Sequence, residues 1–452
     1  MADLTDTIAA IATPGGRGGI GIIRMSGPQC SAICTGLTGF SPAPRQAAYA
    51  AFKDAGGQVM DRGLVLYFAK PASYTGEDVL ELHCHGGRTL PAMLLQRVLE
   101  LGARPAEPGE FTQRAFLNGK LDLVQAEAVA DLVDSGSQRA ARSAVRSLEG
   151  EFSRSINALV QAVIEARVHV EGSLDFPDEE LELLSAAGVQ QQLQESLDTL
   201  QEILARADAG RRLREGVRMV ILGRPNAGKS SLLNRLTRSD RAIVTDIPGT
   251  TRDLIEEQVV IGGVVTSIVD TAGLRESGDV IEQEGMERAL AAARAADIVL
   301  FIDDAAAADS GDRGAGILRS LPREKEVVYI HNKIDLAGQP PSSDTGEDGR
   351  TVIRLSAKTG AGLTLLLDRL QELAGQDEAG EDVLLARVRH VHALEQARDR
   401  LAQGLQRLSD HGSLELLAED LRAAQQALGE ITGAVSSDEL LGEIFSRFCI
   451  GK

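Results

Sequence analysis

The sequence predicts a multidomain α+β and α/β protein: an N-terminal α+β domain (residues 1–118), a helical domain in two pieces (119–214 and 379–452), and an inserted α/β P-loop domain (215–378). Three observations carry that reading. Short period-two apolar runs broken by Gly/Pro turns fill the first part. Apolar residues at helical spacing fill the two flanking parts. Between them an apolar run, Met219 to Leu222, leads into G-x-x-x-x-G-K-[ST] at Gly223–Ser230 and then a helical pattern from Ser231 to Leu236.

In the first part, Ile20 to Met25, Leu64 to Phe68 and Val79 to His85 read as strands. Alternation in the last places Leu80, Leu82 and Cys84 on one face and Glu81, His83 and His85 on the other. Glu81, His83 and His85 allow a metal site, but no second ligand cluster follows, so an exposed polar face or an organic-ligand pocket is the expectation. Cys30 and Cys34, four apart on a helix, are expected to face the core. Leu121, Val124, Ala128 and Leu132 then share one helical face, as do Leu193, Leu197, Leu200 and Leu204. Asp175 to Glu180 reads as an acidic turn opening the next helix. After the inserted domain, Leu414, Leu417, Leu421, Ala424 and Leu428 form another stripe, and Ser436-Ser437-Asp438-Glu439 reads as a capping box before Leu440 to Phe445. Segments 341–350 and 375–382 read as a loop and a linker.

Composition sets outer limits. The 452 residues are 43% hydrophobic, and no apolar run approaches the ~18 residues of a membrane span. Met1 to Ala12 lacks the pattern of a secretory signal, and Cys30, Cys34, Cys84 and Cys449 have no framework spacing, which together point to the cytoplasm. The net charge is -19, yet residues 1–118 hold ten Lys/Arg and ten Asp/Glu, so the acidity lies in the remainder. Any nucleic-acid contact must therefore be local or made through a partner.

The phosphate loop supplies backbone N–H donors, a helix N-terminus and the Lys229 ammonium to a nucleoside triphosphate, and Ser230 is a magnesium ligand in that arrangement. The base is read further on. Asp335 of Asn332-Lys333-Ile334-Asp335 follows the apolar run Val327 to Ile330 and can accept from both N1–H and the N2 amino group of guanine, donors that adenine lacks. Ser356-Ala357-Lys358, after the run Val352 to Leu355, can offer backbone N–H groups to guanine O6. Val264 to Val269 leads into Asp270-Thr271-Ala272-Gly273, where the Asp can hold a magnesium-bound water and the Gly N–H can sense the γ-phosphate. The order and strand placement of these motifs resemble the small GTPases of the P-loop class, with their Ras-like domain and their substrate GTP.

A second resemblance covers essentially the whole chain. Gly76-Glu77-Asp78-Val79-Leu80-Glu81-Leu82, Asn118-Gly119-Lys120-Leu121-Asp122-Leu123, the GTPase motifs and the terminal Phe448-Cys449-Ile450-Gly451-Lys452 are similar to the MnmE (TrmE) family of tRNA uridine-modification GTPases. The resemblance implies a folate-binding N-terminal domain that dimerises and a homodimer working with the flavoprotein MnmG, which brings FAD. It implies addition of an aminomethyl or carboxymethylaminomethyl group to C5 of the wobble uridine of certain tRNAs. Folate contacts carry over onto Arg24, Glu81, Lys120 and Lys452, with 5-formyl- or 5,10-methylene-tetrahydrofolate as ligand. Cys449 is either a nucleophile near the one-carbon unit or a packed hydrophobe.

Hydrolysis needs a substitute for a missing group. In many small-GTPase relatives a glutamine follows Asp-x-x-Gly and orients water; here Leu274 stands there. The MnmE resemblance implies a potassium ion held by Asn226 and by Thr245, Ile247 and Thr250 of Thr245-Asp246-Ile247-Pro248-Gly249-Thr250, and it makes Glu282 the residue that positions water. Thr251 is the expected second magnesium ligand. GTP-binding residues on this reading are Asn226, Ala227, Gly228, Lys229, Ser230, Ser231, 245–251, 270–273, Asn332, Lys333, Asp335 and 356–358, with Asn226, Lys229, Glu282 and Cys449 the catalytic candidates. Arg252 and Arg275 read as salt-bridge partners rather than arginine fingers. Two other classes share the nucleotide motifs. A ribosome-assembly GTPase should carry a basic RNA-binding appendage, absent here, and a non-catalytic nucleotide switch would fit the missing glutamine.

Overall fold

The computed structural model describes residues 6–175, 186–224, 226–237, 243–244, 256–270, 290–306, 325–346, 348–373, 383–409 and 413–451. In chain order its elements are β1 (Ile8–Ile11), β2 (Ile20–Ser26), α1 (Cys30–Thr38), β3 (Ala48–Lys53), β4 (Val59–Phe68), β5 (Val79–His85), α2 (Thr89–Glu100), β6 (Arg104–Pro105), α3 (Glu110–Leu117), α4 (Leu123–Asp134), α5 (Gln138–Leu148), α6 (Glu151–Asp175), α7 (Ala186–Glu215), β7 (Val217–Gly223), α8 (Lys229–Thr237), β8 (Ile243–Val244), β9 (Glu256–Ile261), β10 (Val264–Asp270), β11 (Ile298–Asp304), β12 (Glu326–Asn332), α9 (Ile334–Ala337), β13 (Ser342–Thr345), β14 (Thr351–Arg354), α10 (Leu363–Leu373), α11 (Val388–Ser409), α12 (Leu414–Thr432) and α13 (Asp438–Ser446). Two compact units result, one of Met1–Val133, Ser147–Leu197 and Gln396–Lys452, the other of Asp134–Arg146 and Asp198–Glu395. None of the described helices is long and apolar enough to cross a membrane.

The first unit is built on a six-stranded sheet in the order β3-β4-β5-β2-β1-β6, antiparallel except for β1–β6. Alternation decides its two faces. Leu80, Leu82 and Cys84 of β5 join Ile23 and Met25 of β2 in a core with Cys30, Ile33, Cys34 and Leu37 of α1 and Leu94 and Val98 of α2. Burial of each such Leu or Ile contributes about 1.5–3 kcal/mol. Glu81 and His83 stay partly exposed on the opposite face, beside Arg24 of β2. Helices α6 and α12 pack along each other. They bury Phe152, Ile156, Leu159, Val163 and Val170 on one and Leu417, Leu421, Ala424 and Leu428 on the other, spacings that keep every residue on one helical face.

The second unit holds an eight-stranded sheet ordered β13-β14-β12-β11-β7-β10-β9-β8. β7 is parallel to both β10 and β11, and β12 and β14 continue the parallel run. Val220, Ile221 and Leu222 are fully or almost fully buried, as a central strand covered on both faces requires. Because the chain leaves β7 toward one side of the sheet and returns at β11 on the other, strand order reverses at β7, which is where open α/β sheets hold their ligands.

Three expectations are corrected. Residues 342–345, expected within a loop, form β13, an edge strand paired antiparallel with β14, where Arg354 bonds Ser342 Oγ and pairs with Asp344. Polar cross-strand bonds there replace the apolar signal by which strands are recognised. The start of α13 is capped by Ser437, whose Oγ accepts from Leu440 N at 3.2 Å, so the third helical residue is Leu440 and the Glu439 partner of a capping box falls out of place. In α7 the buried stripe passes through Ile203, 4% exposed, rather than Leu204. Residues 176–180 of the expected acidic turn, and 375–382, lie outside the described residues.

Candidate functional site

Three described loops lie at the C-terminal edge of the parallel strands, beside the end of β10. β7 delivers the phosphate loop, β10 ends at Asp270, β12 ends at Asn332, and the turn after β14 carries Ser356-Ala357-Lys358. Lys229 Nζ donates to the carbonyls of Gly223 and Arg224, 2.9 Å each, so the ammonium is held over its own loop. Asn226 is exposed at its apex and takes a left-handed backbone, φ +61°. Ser230 and Ser231 lie in the first turn of α8, whose N-terminal N–H groups and dipole favour an anion.

Asn332 ties two of these loops together. Its Nδ2 donates to Ala227 O and its Oδ1 accepts from Ala357 N, both 2.8 Å, with the residue 2% exposed. Gly228 has φ +101°, and a Cβ there would lie 2.3 Å from Asn332 Nδ2, so the approach is open only to glycine. Beside it Lys333, φ +67°, pairs through Nζ with Asp304 Oδ2 at 2.6 Å. That bond holds the Asp304 carboxyl below the usual carboxylate range. Asp335 and Lys358 are exposed, while Ser356 and Ala357 are buried, their loop braced by Ser356 Oγ accepting from Thr359 N at 3.2 Å and by Arg235 Nη2 donating to Thr359 O at 3.2 Å. Burial keeps His331, next to Asn332, below the ordinary histidine value, with Arg354 adding to the effect. Residues 245–251, 271–273, Leu274, Arg252, Arg275 and Glu282, and the side chain of Asp270, lie outside the described residues.

The second candidate site is in the first unit. Arg24 and Glu81 stand opposite each other on β2 and β5, with Arg24 Nη2 2.9 Å and Nε 3.0 Å from Glu81 Oε1. His83 Nε2 is 3.3 Å from Glu81 Oε2, and the Tyr74 ring lies 5.9 Å from the Arg24 guanidinium carbon. The carboxyl tail reaches the same place: Arg24 Nη1 donates to Gly451 O at 3.3 Å. Gly451 has φ +97° and packs so closely on Ile11 and Ala12 that a Cβ would lie 2.8 Å from Ile11 O. The tail is anchored upstream by Phe445 and Phe448, whose rings are 5.5 Å apart and which cluster with Leu123, Leu441 and Ile444. Lys120 Nζ donates to Pro71 O at 3.2 Å, on the loop that carries Tyr74. Lys452 lies outside the described residues.

Cys449 is exposed. Among the described residues no three or more His, Cys, Asp or Glu side chains gather as a metal site, and His85 pairs with Asp61, Nδ1 to Oδ1 2.8 Å. Sequence reasoning missed an ionic cluster under this site. Arg114, fully buried, binds Asp6 (2.5 Å), Glu77 (3.1 Å) and Glu110 (2.9 Å). Glu77 Oε2 also accepts from Ser26 Oγ at 2.7 Å, and Tyr74 Oη bonds Thr112 Oγ1 at 2.9 Å, which fixes the loop over Arg24. Alternation gives no signal for a charge that folding buries. Asp304, Arg235 and Tyr74 were likewise invisible, because each acts through a partner distant in the chain.

Comparison with known proteins covers nearly the whole chain. A family model described as the MnmE helical domain matches residues 123–449, and one described as the GTP-binding protein TrmE N-terminus matches residues 7–120. The tRNA modification GTPase MnmE of Marinobacter nauticus is 51% identical over 456 residues, covering 100% of each chain. That of Hydrogenovibrio crunogenus is 53% identical over 447 residues, 99% of each, and that of Stutzerimonas stutzeri 50% over 455 residues, 100% of each.

Proposed function

The chain belongs to the MnmE family of tRNA modification GTPases, and we propose that it hydrolyses GTP with potassium stimulation, as a homodimer acting with MnmG on the wobble uridine of certain tRNAs. The observation that supports this best is the Asn332 bridge, which joins a phosphate loop to a guanine-type base loop through two buried hydrogen bonds. In this reading Lys229 and the N–H groups of 226–231 grip the β- and γ-phosphates, and Asp335 selects guanine. Residues 245–251 and 270–273 complete the nucleotide contacts. Glu282 orients the attacking water in place of the glutamine that Leu274 replaces.

The hydroxyl of Ser230 and that of Thr251 are hard oxygen donors suited to magnesium. Asn226 at the loop apex, with Thr245, Ile247 and Thr250, would hold a potassium ion through neutral oxygens, and the ion when bound would supply the positive charge that an arginine finger supplies elsewhere. In the first unit, Glu81 suits the paired donors of a pterin, and Arg24, Lys120 and Lys452 suit the carboxylates of a reduced folate such as 5-formyl- or 5,10-methylene-tetrahydrofolate. Cys449, exposed two residues from Gly451, is the nucleophile candidate. The parts fit a division of labour in which the N-terminal, helical and GTPase domains span 1–118, 119–214 with 379–452, and 215–378, and FAD comes with MnmG in the cytoplasm.

Mass analysis of wobble nucleosides from cells lacking the protein tests the reading. Loss of the C5 modification, restored by the intact gene and not by a Lys229→Ala variant, is expected. Unchanged nucleosides would remove the tRNA role.

A further inference from the structure

Asp304 ends β11, and the parallel register sets it opposite Asn332 at the end of β12, where Ala305 N donates to Asn332 O at 2.8 Å. Both its carboxylate oxygens are engaged. Oδ1 accepts from Ala306 N at 2.9 Å, which locks the side chain to its own turn, and Oδ2 meets Lys333 Nζ at 2.6 Å. Lys333 holds a left-handed backbone, φ +67°, a conformation that an unbranched non-glycine residue adopts at some cost and keeps only where its surroundings over-determine it. Two residues on stands Asp335, exposed at the head of α9, so the Lys333 dihedral sets the direction in which the base-reading carboxylate leaves the sheet.

We propose that Asp304 is a positioning residue for guanine recognition: by clamping the Lys333 ammonium it fixes the left-handed turn that presents Asp335. The inference rests on the guanine reading of the nucleotide site and adds to it a residue from a different strand, outside every motif. The ionised state that the clamp requires is itself favoured by the pair, since Lys333 holds the carboxyl below its usual range. On this proposal the phosphate grip is separate from the clamp. Lys229 Nζ is held by the Gly223 and Arg224 carbonyls and Ala227 O by Asn332 Nδ2, contacts made without the Asp304 carboxylate.

The test uses the full chain with magnesium and compares the parent with Asp304→Asn, Asp304→Ala and Asp304→Glu. Two ligands are titrated: GDP, which has a base, and inorganic tripolyphosphate, which has none. Asp304→Asn and Asp304→Ala should weaken GDP by roughly five- to tenfold, the range for a charge-assisted bond that is partly exposed. Tripolyphosphate affinity should stay within about twofold, KM for GTP should rise with kcat kept, and Asp304→Glu should recover part of the loss. Equal weakening of both ligands would make Asp304 a general support of the fold and overturn the proposal, as would unchanged GDP affinity in Asp304→Ala. A parent that prefers no guanine nucleotide to tripolyphosphate would instead overturn the guanosine reading itself.

Discussion

Replacing Asn332 with alanine should separate the phosphate and base halves of the nucleotide site. The side chain makes two buried bonds of 2.8 Å, one to each loop. Each is worth about 1 kcal/mol net, and truncation also strands the Ala227 carbonyl and the Ala357 N–H, at about 1–3 kcal/mol for each group that water cannot reach. Ala227 is 1% and Ala357 5% exposed, so water reaches them only through the cavity the substitution creates. Taking that relief into account, the cost is about 2–4 kcal/mol, shared between stability of the free protein and affinity for nucleotide. Calorimetric titration with GDP and thermal unfolding without nucleotide divide the two. A GDP affinity lowered at least ~30-fold is expected if the loops re-form their junction only on binding, since 2 kcal/mol corresponds to about that factor. Asn332→Asp is the sharper control: it keeps an acceptor for Ala357 N but sets a carboxylate against the Ala227 carbonyl, and should do no better than alanine. If both variants bound GDP within about threefold of the parent and melted within about 1 °C of it, the bridge would carry no energy and the argument would fail.

Three further outcomes follow from the same geometry and from the proposed reading. GTP hydrolysis by the parent should rise steeply in potassium over sodium buffer, and Asn226→Ala should abolish the difference, a loss of about a hundredfold in kcat by analogy with removal of one charge-stabilising contact; equal rates in both salts would end the potassium proposal. Glu81→Gln and Arg24→Ala should each weaken 5-formyl-tetrahydrofolate about tenfold while leaving GDP binding alone, measured by fluorescence titration, and an unaltered folate affinity in both would move that ligand elsewhere. Stability should also fall on acidification through Asp6 and Glu110. Burial raises both carboxyls, but hydrogen bonds from Arg104 and Arg114, joined at Glu110 by Glu107 N, outweigh it and leave both below their ordinary values. A folded-state value below the unfolded one means the unfolded chain binds more protons, so the contribution is complete above pH ~4–5 and is lost as pH falls through the lowered values. Glu110→Gln should flatten the acid limb of a melting-temperature profile between about pH 5 and 3, and an unchanged limb would show that the cluster contributes nothing there.

How much of this could be read beforehand depends on where the partners lie along the chain. The phosphate loop is legible because one contiguous stretch does the work: a buried strand, a glycine at each tight point and a helix N-terminus all fall between Val217 and Thr237. The Leu80, Leu82 and Cys84 face is legible for the same reason, since alternation is a property of adjacent residues. The Arg24, Glu81 and Gly451 cluster is not, because it joins positions separated by 57 and 427 residues and exists only once the sheet register and the tail anchor are known. Arg114 carries no signal in its chain neighbours, yet three carboxylates make it one of the largest fully buried side chains. Edge strand β13 escaped because Ser342, Asp344 and Arg354 hold it by polar bonds. Asp304 shows the rule in its strongest form. In the run Phe301-Ile302-Asp303-Asp304-Ala305 nothing separates one aspartate from the other, and only the parallel pairing of β11 with β12 makes Asp304 the one that faces Lys333. Chemistry written in contiguous residues is therefore visible as a motif, whereas the residues that aim the motif are chosen by strand register.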